Sequence, residues 1–203
     1  MLTLIIGGAR SGKSRFAESL CLPSHRVGYI ATARVQDKEM RARVARHRKD
    51  RPPHWLTFEE PLAVDATLRH AEQFCDVLLV DCLTIWLSNF LYQRRRLSVA
   101  RIETLVLEQL DEILKAASSW NVILVSNEVG SGIVPSTKIG RLFRDLQGRV
   151  NQRVAAKADR VFLVVAGIPI QIRPPGSSPE ASGDTQIRMA SGTSDQSRRR
   201  LKR

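Results

Sequence analysis

Short apolar runs recur along residues 1–173 and alternate with longer stretches of helical periodicity. Strands that are covered on both faces of a sheet are apolar throughout, and five are predicted at Leu2–Ile6, Val27–Ile30, Val77–Val80, Val122–Val125 and Val161–Val165. Helices are predicted at Lys13–Leu20, Asp37–Lys49, Leu62–Phe74, Thr84–Leu91, Val99–Ser118 and Ile139–Lys157, and an edge strand at Ile168–Arg173. The alternation predicts an α/β domain with a mostly parallel β-sheet flanked by helices.

The pattern stops at Arg173. Residues 174–203 are rich in Ser, Gly and Pro and contain few large apolar side chains, so they cannot bury enough surface to offset the entropy of ordering. Six basic residues oppose three acidic ones there, and five of the six lie in the final RRRLKR. We therefore predict one domain at residues 1–173 and a disordered basic tail at 174–203.

The composition is that of an ordinary single domain, with 203 residues of which 43% are hydrophobic and 26% charged. A chain of this length buries roughly 70% of the surface it exposes when unfolded, so neither a metal nor a disulfide is needed for stability. Cys21, Cys75 and Cys82 form no CxxC pair, which predicts reduced residues in or near the core. No apolar stretch approaches the ~20 residues of a membrane span, and no leader-like segment precedes Leu2, so we expect a cytoplasmic protein.

The net charge of +12 suggests a nucleic acid or polyphosphate ligand. Between Arg34 and Arg51 eight basic residues oppose three acidic ones, so much of the excess lies in this segment and in the tail. Surfaces that bind single-stranded nucleic acid interleave aromatic with basic side chains, but aromatic residues are only 5% of this chain. Nucleic acid is therefore the poorer explanation of the charge.

The strongest chemical signal lies where the first predicted strand meets the first predicted helix. Gly7 to Ser14, GGARSGKS, match the phosphate-loop pattern GxxxxGK[ST] in full. Glycines let the backbone curl so that its N–H groups surround a phosphate at a helix N-terminus. In such loops the Lys, here Lys13, bridges the outer phosphates, and the hydroxyl, here of Ser14, binds magnesium. The position after an N-terminal strand favours nucleotide binding over a structural glycine turn, and indicates a P-loop NTPase-like fold.

A second carboxylate for the magnesium site is expected at the end of another buried strand. The segment DVLLVDCLT places Asp81 there, whereas Asp76 precedes the strand and is the poorer candidate. A carboxylate beside an apolar strand is costly to bury unless it binds a cation or a hydrogen-bond donor. We therefore favour Asp81 as the metal-side carboxylate over a role in capping the next helix.

One face of the predicted helix at Asp37–Lys49 is strongly basic. Helical spacing from Glu39 places Arg43, His47 and Arg51 at steps of four. Stacked like charges repel unless an anion lies between them, so the arrangement favours a helix that faces a polyphosphate. A solvated basic helix is the alternative.

Six separated motifs together carry a resemblance. They are GGARSGKS at 7–14, YIAT at 29–32, RVARHRKDRPPHW at 43–55, EEP at 59–61, SNEVGSGIVP at 126–135 and FRDLQGRVNQRVAAKADRVFLVVAGIP at 143–169. The chain up to about Arg173 resembles the bifunctional adenosylcobinamide kinase/adenosylcobinamide-phosphate guanylyltransferase family of cobalamin biosynthesis. The tail has no counterpart in the resemblance.

The resemblance implies two reactions at one site, with Mg²⁺ as cofactor and a homo-oligomeric protein. ATP or GTP phosphorylates the aminopropanol hydroxyl of adenosylcobinamide, and GMP from GTP is then transferred to that phosphate, which gives adenosyl-GDP-cobinamide and pyrophosphate. The resemblance also implies a histidine that carries GMP covalently. The matching residue is His47, preceded here by Arg46 where some relatives have a second histidine.

The resemblance and the phosphate-loop pattern together assign candidate site residues in several parts of the chain. Catalytic roles fall to Lys13 and His47, and metal binding to Ser14 and Asp81. The candidate nucleotide-binding residues are Gly7, Gly8, Ala9, Arg10, Ser11, Gly12, Lys13, Ser14, Ala31, Thr32, Ala33, Arg48, Lys49, Asp50, Arg51, Glu59 and Asp81. Arginines beside His47 favour its neutral imidazole, which is the nucleophilic form. For Glu59, a surface acid beside Pro61 is an equal alternative.

Other polar residues are weaker candidates. His25 and His70 are expected on the surface, and His54, beside Trp55, is expected to be a packed loop imidazole, with a nucleotide contact as the alternative. Asn127 and Glu128 end the fourth predicted strand, where ligands gather in parallel sheets. The loop after them is a candidate to close over the corrinoid.

Two other functions would explain part of the sequence. A P-loop kinase of another small alcohol accounts for Gly7 to Ser14 and Asp81 but has no use for His47. A nucleic-acid-binding NTPase accounts for the net charge but not for the low aromatic content.

Overall fold

The computed structural model of the chain describes residues 1–24, 26–34 and 51–174. The strands are β1 (Leu2–Gly7), β2 (Val27–Ala31), β3 (Leu56–Glu59), β4 (Val77–Asp81), β5 (Val122–Asn127), β6 (Arg160–Val165) and β7 (Ile168–Arg173). The helices are α1 (Lys13–Cys21), α2 (Val64–Ala71), α3 (Leu83–Arg94), α4 (Val99–Ala117) and α5 (Lys138–Lys157).

The described strands form one sheet in the order β3-β2-β4-β5-β1-β6-β7. Every pair from β3 to β6 is parallel, and β7 returns antiparallel to β6. Strand β5 lies between β1, which leads into the phosphate-loop motif, and β4, which ends at Asp81. The carboxyl ends of these parallel strands meet at one edge of the sheet, which is where ligands bind in open α/β folds.

Both faces of the sheet are buried, which explains the uninterrupted apolar runs. In β1, Leu2 and Leu4 belong to the core on one face, and Ile5 belongs to the core on the other. Helices α2, α3, α4 and α5 cover the first face, and α1 covers the second. Because successive side chains of a strand alternate between faces, a strand buried on both sides needs an apolar residue at nearly every position.

The predicted fold class is confirmed. All five predicted strands and the edge strand are present, with ends that differ from the prediction by at most two residues. Five predicted helices are also present, whereas the helix predicted at Asp37–Lys49 lies outside the described residues. The second described helix was predicted from Leu62 and begins instead at Val64. The Glu60 carboxylate accepts hydrogen bonds from the N–H groups of Leu62 and Ala63, both at 2.8 Å, and holds them in the preceding turn.

Strand β3 was not predicted. It contains only four residues, LTFE, of which three are exposed, and it lies at the edge of the sheet beside β2. A strand at the edge of a sheet pairs on one side only and is more exposed to solvent. Its residues therefore need not form a continuous apolar run, and the sequence shows no strong hydrophobic period. Its position matters for the site because it places Glu59 at the same edge as Asp81.

Other sequence-based expectations have different outcomes. All three cysteines are buried and free, as predicted. None of the described helices combines the length and apolar character that crossing a membrane requires. Residues 175–203 lie outside the described residues, so the disordered tail stays a prediction.

Candidate active site

The phosphate-loop motif forms a tight turn between β1 and α1. Gly12 and Arg10 both have left-handed backbone conformations, with φ of 95° and 57°. The Gly167 N–H donates to the Ser11 carbonyl over 2.8 Å, so the turn between β6 and β7 supports the loop from one side. Gly8, Ala9 and Arg10 are exposed at its outer side. A loop of this shape at a helix N-terminus can surround a phosphate with backbone N–H groups.

Gly12→Ala tests the conformation of this loop. A β-carbon there would meet the Gly167 α-carbon at 3.0 Å, and a left-handed conformation costs a non-glycine residue about 1–2 kcal/mol. We expect the Tm to fall by about 2–8 °C in thermal unfolding of a domain of this size. Gly8→Ala is the matched control, because a β-carbon at Gly8 meets nothing within 4 Å. Equal Tm values for the two variants would contradict the described loop conformation.

Lys13 is the first residue of α1 and is buried, with 8% of its surface exposed. Its ammonium Nζ donates to the Gly8 carbonyl over 3.0 Å, so the side chain folds back over the loop. Burial lowers the pKa of Lys13, and this effect is partly opposed by Cys82 and Asp81 nearby. Helix α1, which begins at Lys13, packs against β4, which ends at Asp81, as the sequence-based assignment of both residues to one site requires.

Asp81 is half-buried at the carboxyl end of β4. Its Oδ2 accepts a hydrogen bond of 2.8 Å from the Tyr29 hydroxyl. Burial and the Asp81 charge raise the pKa of Tyr29 well above its usual value, so the phenol stays a donor. Asp76, the poorer candidate, lies before β4 and forms an exposed ion pair with Arg26, with Nη2 2.5 Å from Oδ1.

The donors around the loop fit a magnesium ion that arrives with phosphates. Ser14 is half-buried in the first turn of α1, and its hydroxyl is a hard oxygen donor, as is the Asp81 carboxylate. Magnesium in nucleotide sites is held by one or two such protein groups together with substrate phosphates. In the described part of the chain no group of three or more His, Cys, Asp or Glu side chains could hold a metal ion alone.

Residues 31–33, a predicted nucleotide contact, have a structural role at the end of β2. The buried Thr32 hydroxyl donates to the Cys82 carbonyl and accepts from the Cys82 N–H, both at 2.8 Å. The Thr32 carbonyl accepts from Asn89 Nδ2, also at 2.8 Å. The buried Thr32 side chain thus ties the end of β2 to the end of β4, and the nucleotide contact of residues 31–33 stays a prediction.

Glu59 is related to Asp81 by strand pairing, and Arg51 by its contact with Tyr29, which binds Asp81. Glu59 pairs in register with Ala31, which pairs with Asp81, so the three residues form a row across adjacent strands. The Arg51 guanidinium carbon lies 3.4 Å from the centroid of the Tyr29 ring. Its Nε and Nη1 atoms are buried and have no hydrogen-bond partner among the described residues.

Four further candidates, His47, Arg48, Lys49 and Asp50, lie outside the described residues, as do Arg43 and Arg46. Their assigned roles stay predictions. His25 is also outside the described part of the chain.

The remaining histidines have different outcomes. His70 is exposed, as predicted. The prediction that His54 is packed is wrong, because its imidazole is exposed and the neighbouring Trp55 alone enters the core, with 6% exposed.

A buried polar network at the end of β5 was only partly anticipated. The Asn127 N–H donates to the Thr84 hydroxyl over 2.7 Å, and its carbonyl accepts from Asn151 Nδ2 at 3.0 Å. Gln147 and Ser126 complete the network through Asn151 Oδ1. Gln147 and Asn151 stand four residues apart on the apolar stripe of α5, which is the signal that could have identified them.

The loop after β5 is organised by its own acidic residue. The Glu128 carboxylate accepts hydrogen bonds from the N–H groups of Gly130 and Ser131. Its backbone N–H donates to the Gly7 carbonyl over 3.0 Å, which ties the loop to the end of β1. Ile133 is 97% exposed in this loop. The proposed contact of the loop with the corrinoid stays a prediction.

Comparison with known proteins places this geometry in a family context. The family model described as cobinamide kinase / cobinamide phosphate guanyltransferase matches residues 3–172. The bifunctional adenosylcobalamin biosynthesis protein CobP of Pseudomonas aeruginosa is 47% identical over 176 residues, which cover 85% of this chain and 98% of that protein. The CobU proteins of Salmonella typhimurium and Escherichia coli are each 40% identical over 181 residues, covering 85% of this chain and all of theirs. The match ends where the predicted domain ends.

Proposed function

The chain belongs to the cobinamide kinase / cobinamide phosphate guanyltransferase family, and we propose that it catalyses two successive reactions on adenosylcobinamide. ATP or GTP phosphorylates the aminopropanol hydroxyl, and GMP from GTP is then joined to the new phosphate. The observation that carries the proposal is the placement of a complete phosphate loop after β1 and of Asp81 at the end of β4, at one edge of a parallel sheet, with the Lys13 ammonium folded over the loop. Both residues lie within the matched region.

In the kinase step the described residues bind and orient the triphosphate. The loop N–H groups and Lys13 neutralise charge on the phosphates. Ser14 and Asp81 would hold magnesium, which supplies further charge neutralisation when bound. The terminal phosphorus then forms a bond to the substrate oxygen and loses its bond to the departing nucleoside diphosphate, and the substrate hydroxyl releases its proton.

In the guanylyl-transfer step, the resemblance assigns the nucleophile to His47. An imidazole nitrogen forms a bond to the α-phosphorus of GTP, and the bond to pyrophosphate breaks. A phosphate oxygen of adenosylcobinamide phosphate then attacks the same phosphorus and releases the imidazole. Two N–H donors of Arg51 are buried without a partner among the described residues, and unpaired buried donors favour an anion, which supports a phosphate contact at Arg51.

Labelled GTP tests the proposal directly. With adenosylcobinamide and Mg²⁺, label at the γ-phosphate is expected to appear on the corrinoid. Label at the α-phosphate is expected first on the protein and then on the corrinoid product. A phosphoramidate is labile in acid and stable in alkali, so the protein label should be lost in mild acid and survive base. Transfer of the γ-label alone would support a plain P-loop kinase instead.

The remaining assignments belong to the same proposal. The triphosphate of the kinase step, the contact with adenosylcobinamide phosphate and a homo-oligomeric state rest on the resemblance. A nucleic acid partner is not proposed.

A further inference from the structure

Tyr29 connects two groups of the candidate site. Its hydroxyl donates to Asp81 Oδ2 over 2.8 Å, and its ring lies beneath the Arg51 guanidinium, 3.4 Å from ring centroid to guanidinium carbon. The residue is buried in the core on the α1 face, with 2% of its surface exposed. Phenylalanine would fill the same space, so the hydroxyl and its bond to Asp81 distinguish this tyrosine from an ordinary core residue.

The bond to Tyr29 restricts the Asp81 carboxylate. Tyr29 pairs in register with Leu79, and Asp81 is two residues further along the same strand, so both side chains lie on one face of the sheet. With Oδ2 held by the phenol, rotation of the carboxylate is opposed. The Lys13 ammonium donates to the Gly8 carbonyl, and among the described residues it forms no ion pair with Asp81. The Asp81 carboxylate is therefore held by the Tyr29 hydroxyl and not by the Lys13 ammonium.

The ring of Tyr29 fixes the second group. A guanidinium that lies on an aromatic face is attracted to its π-electrons and loses rotational freedom. The buried Nε and Nη1 donors of Arg51 have no partner in the described part of the chain, and guanidinium donors match phosphate oxygens. The stack thus holds the guanidinium over the same ring whose hydroxyl binds Asp81.

We propose that Tyr29 is a positioning residue that holds Asp81 for the magnesium ion of the bound triphosphate and Arg51 for its phosphates. This inference rests on the proposed function, because it assumes that a magnesium triphosphate occupies the loop. Tyr29 touches neither reacting atom and acts through Asp81 and Arg51.

The chain supplies a matched control. It contains two tyrosines, and the second, Tyr92, also lies beneath an arginine, with the Arg95 guanidinium carbon 4.5 Å from the ring centroid. Tyr92 is 58% exposed on α3, and the described residues place no carboxylate at its hydroxyl. Tyr92→Phe therefore removes the same atom from a similar stack that lacks the bond to Asp81.

The first experiment measures GTP binding calorimetrically at increasing Mg²⁺ concentration. Hydrogen bonds to charged groups are stronger than those between neutral groups. Loss of the bond to Asp81 in Tyr29→Phe is therefore expected to raise, by about tenfold, the Mg²⁺ concentration that produces half of the Mg²⁺-dependent increase in GTP affinity. GTP affinity in EDTA is expected to stay within about twofold of wild type. Tyr92→Phe should match wild type in both, and Tyr29→Phe should add no further change to Asp81→Asn.

A second measurement does not depend on the stability of Tyr29→Phe. Protein labelled with 3-fluorotyrosine should give two ¹⁹F resonances, which Tyr92→Phe assigns. The Tyr29 resonance is expected to shift when Mg²⁺ is added to the GTP complex, and to shift much less in Asp81→Asn. The Tyr92 resonance should stay in place.

Several results would overturn the inference. One is a folded Tyr29→Phe protein with the Mg²⁺ dependence of wild type, and another is equal weakening of GTP binding with and without Mg²⁺. A Tyr29 resonance that does not shift when Mg²⁺ is added to the GTP complex would also overturn the inference. If wild type fails to bind GTP at any Mg²⁺ concentration, the proposed function itself fails, and this inference fails with it.

Discussion

Replacing Lys13 with alanine is expected to lower both cobinamide phosphorylation and guanylyl transfer by at least about 100-fold, the loss typical of one positioned group that stabilises transition-state charge. The ammonium is already folded over the loop through Gly8, so little reorganisation is needed when phosphates bind. Both reactions use a triphosphate in that loop, so both should fail together. Steady-state rates with saturating GTP and adenosylcobinamide, or its phosphate, measure the effect.

Lys138→Ala is the control for this variant. Lys138 is also the first residue of a long helix, but it is exposed and belongs to α5 rather than to the phosphate-loop motif. We expect its activities to match wild type. The Tm of Lys13→Ala checks that the variant is folded. A folded Lys13→Ala protein with normal kinase rates would exclude Lys13 from the site.

Replacing His47 with alanine is expected to separate the two activities. Covalent GMP labelling and guanylyl transfer should disappear, because no imidazole remains to form the bond to phosphorus. Phosphorylation of adenosylcobinamide should stay measurable, because that step needs only the bound triphosphate, magnesium and an aligned hydroxyl. Some loss of kinase rate is compatible with the proposal. Arg46 and Arg48 flank His47 and are expected to bind the same triphosphate, so the substitution can disturb their contacts with it.

His54→Ala is the matched control for His47→Ala. His54 is the next histidine along the chain and is exposed, so it should keep both activities and the acid-labile label. Peptide mapping after labelling with α-labelled GTP identifies the modified residue. If GMP still attaches to folded His47→Ala protein, or maps to His54, the nucleophile has been assigned wrongly.

Local patterns explain why most of the fold could be predicted. The strands β1, β2, β4, β5 and β6 are continuous apolar runs because the sheet is buried on both faces. Edge strand β3 escaped prediction because three of its four residues are exposed. The start of α2 was predicted at Leu62 and lies at Val64, because Leu62 and Ala63 form a turn in which their N–H groups donate to the Glu60 carboxylate.

The sequence alone determined the features that depend on residues close together in the chain. The phosphate loop needs eight consecutive residues, Gly7 to Ser14, between a strand and a helix, and its conformation follows from glycine at a left-handed position. The family also follows from the sequence, because it rests on motifs spread over residues 3–172. The choice of Asp81 over Asp76 needed only the direction of one apolar strand.

The tertiary structure decided what depends on strand order and register. Tyr29 and Asp81 are 52 residues apart in sequence, yet the pairing of β2 with β4 brings the hydroxyl to the carboxylate. The same pairing brings the Thr32 hydroxyl to the Cys82 backbone, where it donates to the carbonyl and accepts from the N–H. The sequence of a strand does not specify which strand it pairs with or in which register. Packing against the helices on both faces sets that arrangement, and with it the partners of each polar group at the edge.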